Sequence, residues 1–344
     1  VVGSVPNGGL VVDEVQRLPA LLDVVHRLIA RDGHRIRFAL TGSSARKLVR
    51  GGANLLPGRA INRRFFPLTS DEVPGSLDPH DWMRFGSLPS IRSAPNPLRI
   101  DLLDAYLANY IAQEVRAEAI VNDIGSFLRF LEVAARMNGQ VANVAGIARD
   151  AAVARPTVQG YFQALVDTLV GVWLPPIRPK ARVKEVGHPK FYFFDPGVVR
   201  TAARRVREAV DSAEAGPLLE TWVLGEVRAF IDRHSVGGEL GYWRTAAGSE
   251  VDLVWRRGNH AVGIEIKASE RWRSEFGRAL VQLDASLPME RTLGVYLGER
   301  AERHGRLEVL PLAEFFRALH AGHIIPLGTG VSSPLPPLDS TESI

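Results

Sequence analysis

The sequence contains no cysteine, which excludes a small secreted fold stapled by disulfides. Lysine is scarce: five of the 42 basic residues, the rest being arginine, whose guanidinium stays charged at any relevant pH. Arginine sets the pI near 9.5, because 38 acidic residues leave a formal net charge of only +4. So small an excess permits nucleic-acid binding without arguing for it. No apolar run approaches the ~20 residues of a membrane span, and the charged-then-apolar pattern of a signal peptide is missing. A cytoplasmic protein with no membrane partner is the expectation. The nine histidines are scattered without metal-ligand spacing, and no serine sits in a nucleophile elbow.

What is present is an ordinary globular composition, 46% hydrophobic and 23% charged over 344 residues, a length that predicts two or three domains. Leu10 to Val12 reads as a short buried strand delivering Asp13 and Glu14 at its end. Leu18 to Ala30 has helical spacing, and Ile36 to Leu40 is a second strand ending in Thr41-Gly42-Ser43-Ser44. Strand, helix and strand in this order predict a βαβ unit and a parallel sheet. Pro74 to Pro97 reads as an irregular surface connection, and Leu98 to Ala135 as helical. Asn143 to Leu174 has helix-turn-helix spacing, with Thr157 expected to cap the second helix. A strand at Phe191–Phe194 precedes a helix from about Pro217 to Arg233. Three strand-like segments follow (240–243, 250–255, 261–267), the last two joined by hairpin turn chemistry at Arg256-Arg257-Gly258-Asn259.

Two constellations carry chemistry. An apolar strand ending in Asp13-Glu14 has the arrangement of a Walker B strand, in which the aspartate holds Mg²⁺ and the glutamate polarises an attacking water. Thr41 or Ser43 at the end of the next strand is placed to sense a γ-phosphate, and Arg59 to supply a stabilising charge. On spacing alone the alternative is a core strand with two exposed acids. The glycine-rich GxxxxGK[ST] loop that cradles nucleotide phosphates matches nowhere. In this fold class it would precede Val1, so the expectation is a truncated ATPase core, either a fragment or naturally short. The second constellation joins Glu250-Val251-Asp252 to Glu265-Ile266-Lys267, with Glu220 on the preceding helix. Strand alternation puts Glu265 and Lys267 on one face, and a hairpin brings Asp252 to them. Two carboxylates and a lysine at one point suit metal-dependent phosphodiester cleavage, with Mg²⁺ or Mn²⁺ held by Asp252 and Glu265. The alternative is a surface cross-strand ion pair worth little. The helix-turn-helix offers only Arg155 and Gln159 as base readers.

In order along the chain, the stretches 11–19, 40–48, 57–60, 66–73, 192–197, 219–220, 249–254 and 264–267 resemble a large prokaryotic family of AAA-type ATPases with a C-terminal domain of unknown function. The resemblance implies an α/β multidomain protein: a partial P-loop NTPase sheet at 1–75, connector and lid-like helices at 76–124, a winged helix at 125–180, a PD-(D/E)xK nuclease-like domain at 181–325 and a disordered tail at 326–344. It implies ATP and Mg²⁺ as cofactors, Asp13 and Glu14 as Walker B acids, and Asp252, Glu265 and Lys267 as the nuclease-like site with Glu220 nearby. DNA is the expected partner. The alternative is a non-catalytic regulator that binds DNA or a protein partner through the winged helix.

Overall fold

The computed structural model describes residues 9–15, 18, 20–32, 37–42, 60–75, 77–111, 123–179 and 187–327. Ser43, Arg59, the glycine-rich stretch 51–58 and most of the tail lie outside the described residues. In chain order the first elements are β1 (Gly9–Val12), α1 (Ala20–Asp32), β2 (Arg37–Leu40), α2 (Pro79–Phe85), α3 (Pro89–Arg92) and α4 (Asn96–Ala105). Next come α5 (Ile124–Arg136), α6 (Val144–Asp150), α7 (Arg155–Asp167), β3 (Gly171–Leu174), β4 (Lys190–Phe193), α8 (Pro196–Ala202) and α9 (Ser212–Arg233). The chain finishes with β5 (Glu239–Arg244), β6 (Glu250–Arg257), β7 (His260–Lys267), α10 (Arg278–Asp284), β8 (Arg291–Tyr296), β9 (Glu302–His304), β10 (Leu307–Pro311) and α11 (Leu312–His320). This mixed α/β chain divides into two compact units.

The first unit draws on Val1–Asn62, Ala108–Phe130 and Val144–Val172. Its β1 and β2 pair in parallel, from Gly9 opposite Arg37 to Val12 opposite Leu40, with α1 as the crossover. Leu10 and Val11 are 41% and 62% exposed rather than buried as their run of apolar residues suggests. Two strands leave faces open that a broader parallel sheet would cover. Elsewhere in this unit Phe127 meets Tyr161 edge-on at 5.2 Å, and Phe130 meets Phe162 edge-on at 4.9 Å. Helix α7 begins earlier than Thr157: Ala154 is its N-cap, and Pro156 occupies the first turn, where a missing N–H costs nothing.

The second unit comprises Arg63–Leu107, Leu131–Asn143 and Trp173–Ile344. Its six-stranded sheet runs β5-β6-β7-β8-β10-β9, antiparallel at both ends and parallel through β7, β8 and β10. The β6–β7 hairpin closes on Gly258-Asn259, with Gly258 at φ 58°, the left-handed backbone a two-residue loop needs at its first position. β7 is buried along nearly its whole length, as the centre of a sheet covered on both faces must be. Helix α9 starts at Ser212, well before Pro217, because Asp211 and Glu214 form a reciprocal capping box.

The proline-rich stretch from Pro74 to Pro97 is helical instead of irregular. Pro79, Pro89 and Pro97 stand in the first turns of α2, α3 and α4, and Trp82, Met83, Phe85 and Ile91 are buried. Where α2 ends against the start of α8, packing is tight. The buried Asp195 caps α8 by accepting from Val198 N at 3.1 Å and also accepts from Ser87 N at 2.7 Å. Burial pushes its carboxyl up to about 6 against those hydrogen bonds. A further buried acid, Glu226 of α9, accepts from Ser70 N (2.7 Å) and Trp222 Nε1 (3.1 Å) and pairs with His320 Nε2 (2.7 Å). Trp222 is stacked on Trp82 at 4.6 Å, their planes 13° apart. No helix among the described residues is long and apolar enough to cross a membrane.

Candidate functional site

In the first unit, parallel pairing sets the ends of β1 and β2 side by side. Asp13 therefore meets Thr41, whose hydroxyl donates to Asp13 Oδ1. The same hydroxyl accepts from Glu14 N at 3.2 Å, and Val15 N donates to Thr41 O at 3.0 Å. Glu14 holds φ 52°, a left-handed backbone uncommon for a residue with a Cβ and costing on the order of 1 kcal/mol. Asp13, Glu14 and Thr41, expected to act together from their spacing, are thus one corner at the carboxyl ends of two parallel strands. This is where open α/β sheets bind ligands.

In the second unit, Asp252 and Glu265 each lie one step beyond the Leu253–Ile264 cross-strand pair, so their side chains share a face. Lys267, two residues after Glu265, reaches the same point. Its Nζ lies 2.5 Å from Glu265 Oε1 and 3.6 Å from Asp252 Oδ2. Asp252 Oδ2 also accepts from Ile266 N at 2.8 Å, which fixes its rotamer against the β7 backbone. Both carboxylates are only 5% exposed. Glu265 Oε2 is buried with no hydrogen-bond partner, an arrangement that costs on the order of 1–3 kcal/mol unless something completes it.

Glu220 projects from α9 into the same corner. Its Oε2 accepts from Tyr192 Oη at 2.6 Å and lies 3.7 Å from Lys190 Nζ. Lys190 forms an ion pair with Glu250, whose other oxygen is 3.3 Å from Arg244 Nη1. The charges are mutually dependent. Burial, then the neighbouring Asp252, pushes the Glu265 carboxyl up to about 8 in spite of Lys267. Burial and Asp252 likewise raise Glu220 to about 7, opposed by Lys190 and the Tyr192 hydroxyl. Burial works against the charge on Lys267, yet Asp252 and Glu265 hold its pKa above the ordinary lysine value. Lys190 is held up in the same sense by Glu220, Asp252 and Glu250. Burial and Glu220 push Tyr192 well above 10, so it remains a donor.

All four residues expected at this site from sequence therefore converge: Glu220, Asp252, Glu265 and Lys267. Lys190 and Tyr192 complete it and were not singled out. Their signal was two polar residues at alternate positions of an otherwise apolar strand, 28 or more residues from the nearest acid of the site.

The donor set was tested for a cation. Among the described residues no three His, Cys, Asp or Glu side chains stand close enough to hold a metal ion by themselves. The Asp252–Glu265 pair supplies two carboxylates, one with an unpartnered buried oxygen. An all-oxygen pair of this kind fits Mg²⁺ or Mn²⁺, which keep waters and take substrate oxygens for their remaining positions. Lys267 holds the place between the carboxylates where positive charge is needed.

Known proteins match in three segments. Residues 4–73 match the model of an AAA domain, 77–209 a domain of unknown function (DUF8612) and 215–315 another domain of unknown function (DUF4143). The uncharacterized protein Rv2008c of Mycobacterium tuberculosis and the uncharacterized protein Mb2031c of Mycobacterium bovis are each 27% identical over 325 residues. Those alignments cover 94% of this chain and 70% of each relative. The crystal structure of protein VC1899 from Vibrio cholerae is 14% identical, covering 89% of this chain and 78% of its own, at a TM-score of 0.26. The AAA match at the start of the chain, with the DUF4143 match near its end, supports an AAA-type ATPase family, with the ATP and Mg²⁺ that such domains use.

Proposed function

We propose that the chain is a nucleotide-responsive AAA-type protein whose C-terminal unit hydrolyses phosphodiester bonds in DNA with a divalent cation. The observation that carries this reading is the meeting of Asp252, Glu265 and Lys267 on one sheet face, with Glu265 Oε2 buried and unpartnered. Asp252 and Glu265 would hold the cation, which when bound activates a water and offsets charge on the phosphate. Lys267, kept protonated by its two acids, contributes a fixed positive charge for a phosphate oxygen. Glu220, with its raised pKa, is able to hold or release a proton near neutrality. In the first unit Asp13 and Glu14 take the Walker B roles, with Thr41 holding Asp13 in place.

Supercoiled plasmid incubated with the chain and Mg²⁺ or Mn²⁺ tests the reading. Nicking or linearisation is expected, with at least a hundredfold loss in Asp252→Ala and Lys267→Ala, as for removal of a group acting in the transition state. No cleavage by the parent chain, or cleavage that persists in both variants, overturns it.

A further inference from the structure

β4 enters the acidic corner with Lys190 and Tyr192 side by side on one face, since residues two apart in a strand point the same way. The strand is buried at all four of its residues, and Lys190 is only 2% exposed. An ammonium so placed is expensive unless every side of it is satisfied. Here it is: Glu250 pairs with it, Glu220 Oε2 lies at 3.7 Å, and the Tyr242 ring centroid is 5.3 Å away. The Tyr192 hydroxyl lies 2.6 Å from the same Glu220 oxygen. Both β4 groups thus act on Oε2, and among the described residues Glu220 Oε1 accepts no hydrogen bond. The strand that delivers them is tied to α9. Asn138 accepts from Phe193 N at 2.8 Å and donates from Nδ2 to Thr221 Oγ1 at 2.8 Å, one residue along from Tyr192 and from Glu220 respectively.

We propose that Lys190 and Tyr192 are positioning residues: they clamp one oxygen of Glu220 so that the other faces the cation held by Asp252 and Glu265. The proposal rests on the cation-dependent reading of this site. Neither group is placed to touch DNA, Lys190 being buried. Their effect runs through Glu220, as outer partners of a cation-facing carboxylate act by fixing its orientation. A purely structural ion pair would instead influence folding and leave metal affinity alone.

Mn²⁺ binding to the whole chain, read from the loss of the free-ion electron paramagnetic resonance signal, separates these. Tyr192→Phe and Lys190→Met are expected to weaken Mn²⁺ binding by about tenfold or more, the usual range for outer-shell partners. The Mn²⁺ needed for half-maximal plasmid cleavage should rise to match, with the rate at saturating Mn²⁺ far less affected. Lys190→Arg should recover most of the affinity. Tyr192→Phe removes only a hydroxyl and decides the matter if Lys190→Met does not fold. Mn²⁺ affinity within twofold of the parent in Tyr192→Phe overturns the proposal, even if the parent cleaves DNA. A parent that binds Mn²⁺ with the expected sensitivity but cleaves nothing overturns the nuclease reading and supports the clamp. A parent that binds no Mn²⁺ overturns both.

Discussion

Replacing Gly197 by alanine tests the joint between α2 and α8. A Cβ at Gly197 would fall 2.2 Å from the Phe85 carbonyl oxygen and 2.5 Å from its carbon, both backbone atoms. At Gly86, whose φ is 68°, a Cβ would lie 2.0 Å from Asp195 Oδ1, so the joint is closed from both sides. Restoring ordinary contact at Gly197 means parting the two segments by about 1 Å. That movement stretches the Asp195 bond to Ser87 N. Overpacking costs about 1–3 kcal/mol, and a weakened buried hydrogen bond adds roughly 1 kcal/mol or more. Helix propensity works the other way, by at most about 1 kcal/mol. The net expectation is a loss of about 2–3 kcal/mol, or roughly 5–10 °C in Tm for a unit of this size. Gly225, also helical, is the control: its nearest foreign atom to an added Cβ is Phe194 O at 4.0 Å. Gly225→Ala should therefore raise Tm by roughly 1–3 °C. Thermal unfolding followed by tryptophan fluorescence measures both. If Gly197→Ala melts at or above the parent, the reading of this joint is wrong.

The pKa values at the acidic corner give a pH dependence with a definite sign. Glu265 near 8 and Glu220 near 7 are raised above the ordinary 4.5, so between those limits the folded chain keeps protons that the unfolded chain releases. Stability is therefore greatest at low pH within this window and falls as pH rises through 7 and 8. Melting in EDTA from pH 6 to 9 should show the decline, and Glu265→Gln should flatten it; a Tm that rises over this range contradicts it. Saturating Mn²⁺ at pH 8 should restore stability, by about 2.7 kcal/mol at a hundred times its Kd, and no Mn²⁺ effect on Tm would count against the cation site. The sequence matches no GxxxxGK[ST], so calorimetry should find ATP binding weaker than roughly 1 mM for this chain; a micromolar constant would refute that expectation.

The parts legible in the sequence were those with a local period. Alternation along β7 put Glu265 and Lys267 on one face, the Gly258-Asn259 turn carried Asp252 to them, and the βαβ pattern paired Asp13 with Thr41. Lys190 and Tyr192 escaped because their partner Glu220 arrives on a helix 28 residues downstream of Tyr192, and no periodicity reaches that far. Pro79, Pro89 and Pro97 were taken for loop signals, yet each opens a helix. The punctuation was read correctly as a boundary and wrongly as an interior. β9 and β10 were missed as well. Three and five residues long, they take their stability from the edge of a sheet already built. In Asp195-Pro196-Gly197 the aspartate caps, the proline starts a helix and the glycine admits a neighbouring carbonyl, so part of the resemblance to a family is packing rather than chemistry.

The stacked indoles of Trp82 and Trp222 have a practical consequence. Two such chromophores 4.6 Å apart and nearly coplanar share their excited states, so the pair writes its own circular-dichroism band and quenched emission. Trp222 also donates to Glu226, the acid that holds the Ser70 backbone onto the helix carrying Glu220. Any displacement of that segment changes the field on one indole and the overlap of both. The molecule thus contains a label-free optical gauge beside the segment where the AAA match ends, to be read while nucleotide, cation or DNA is added.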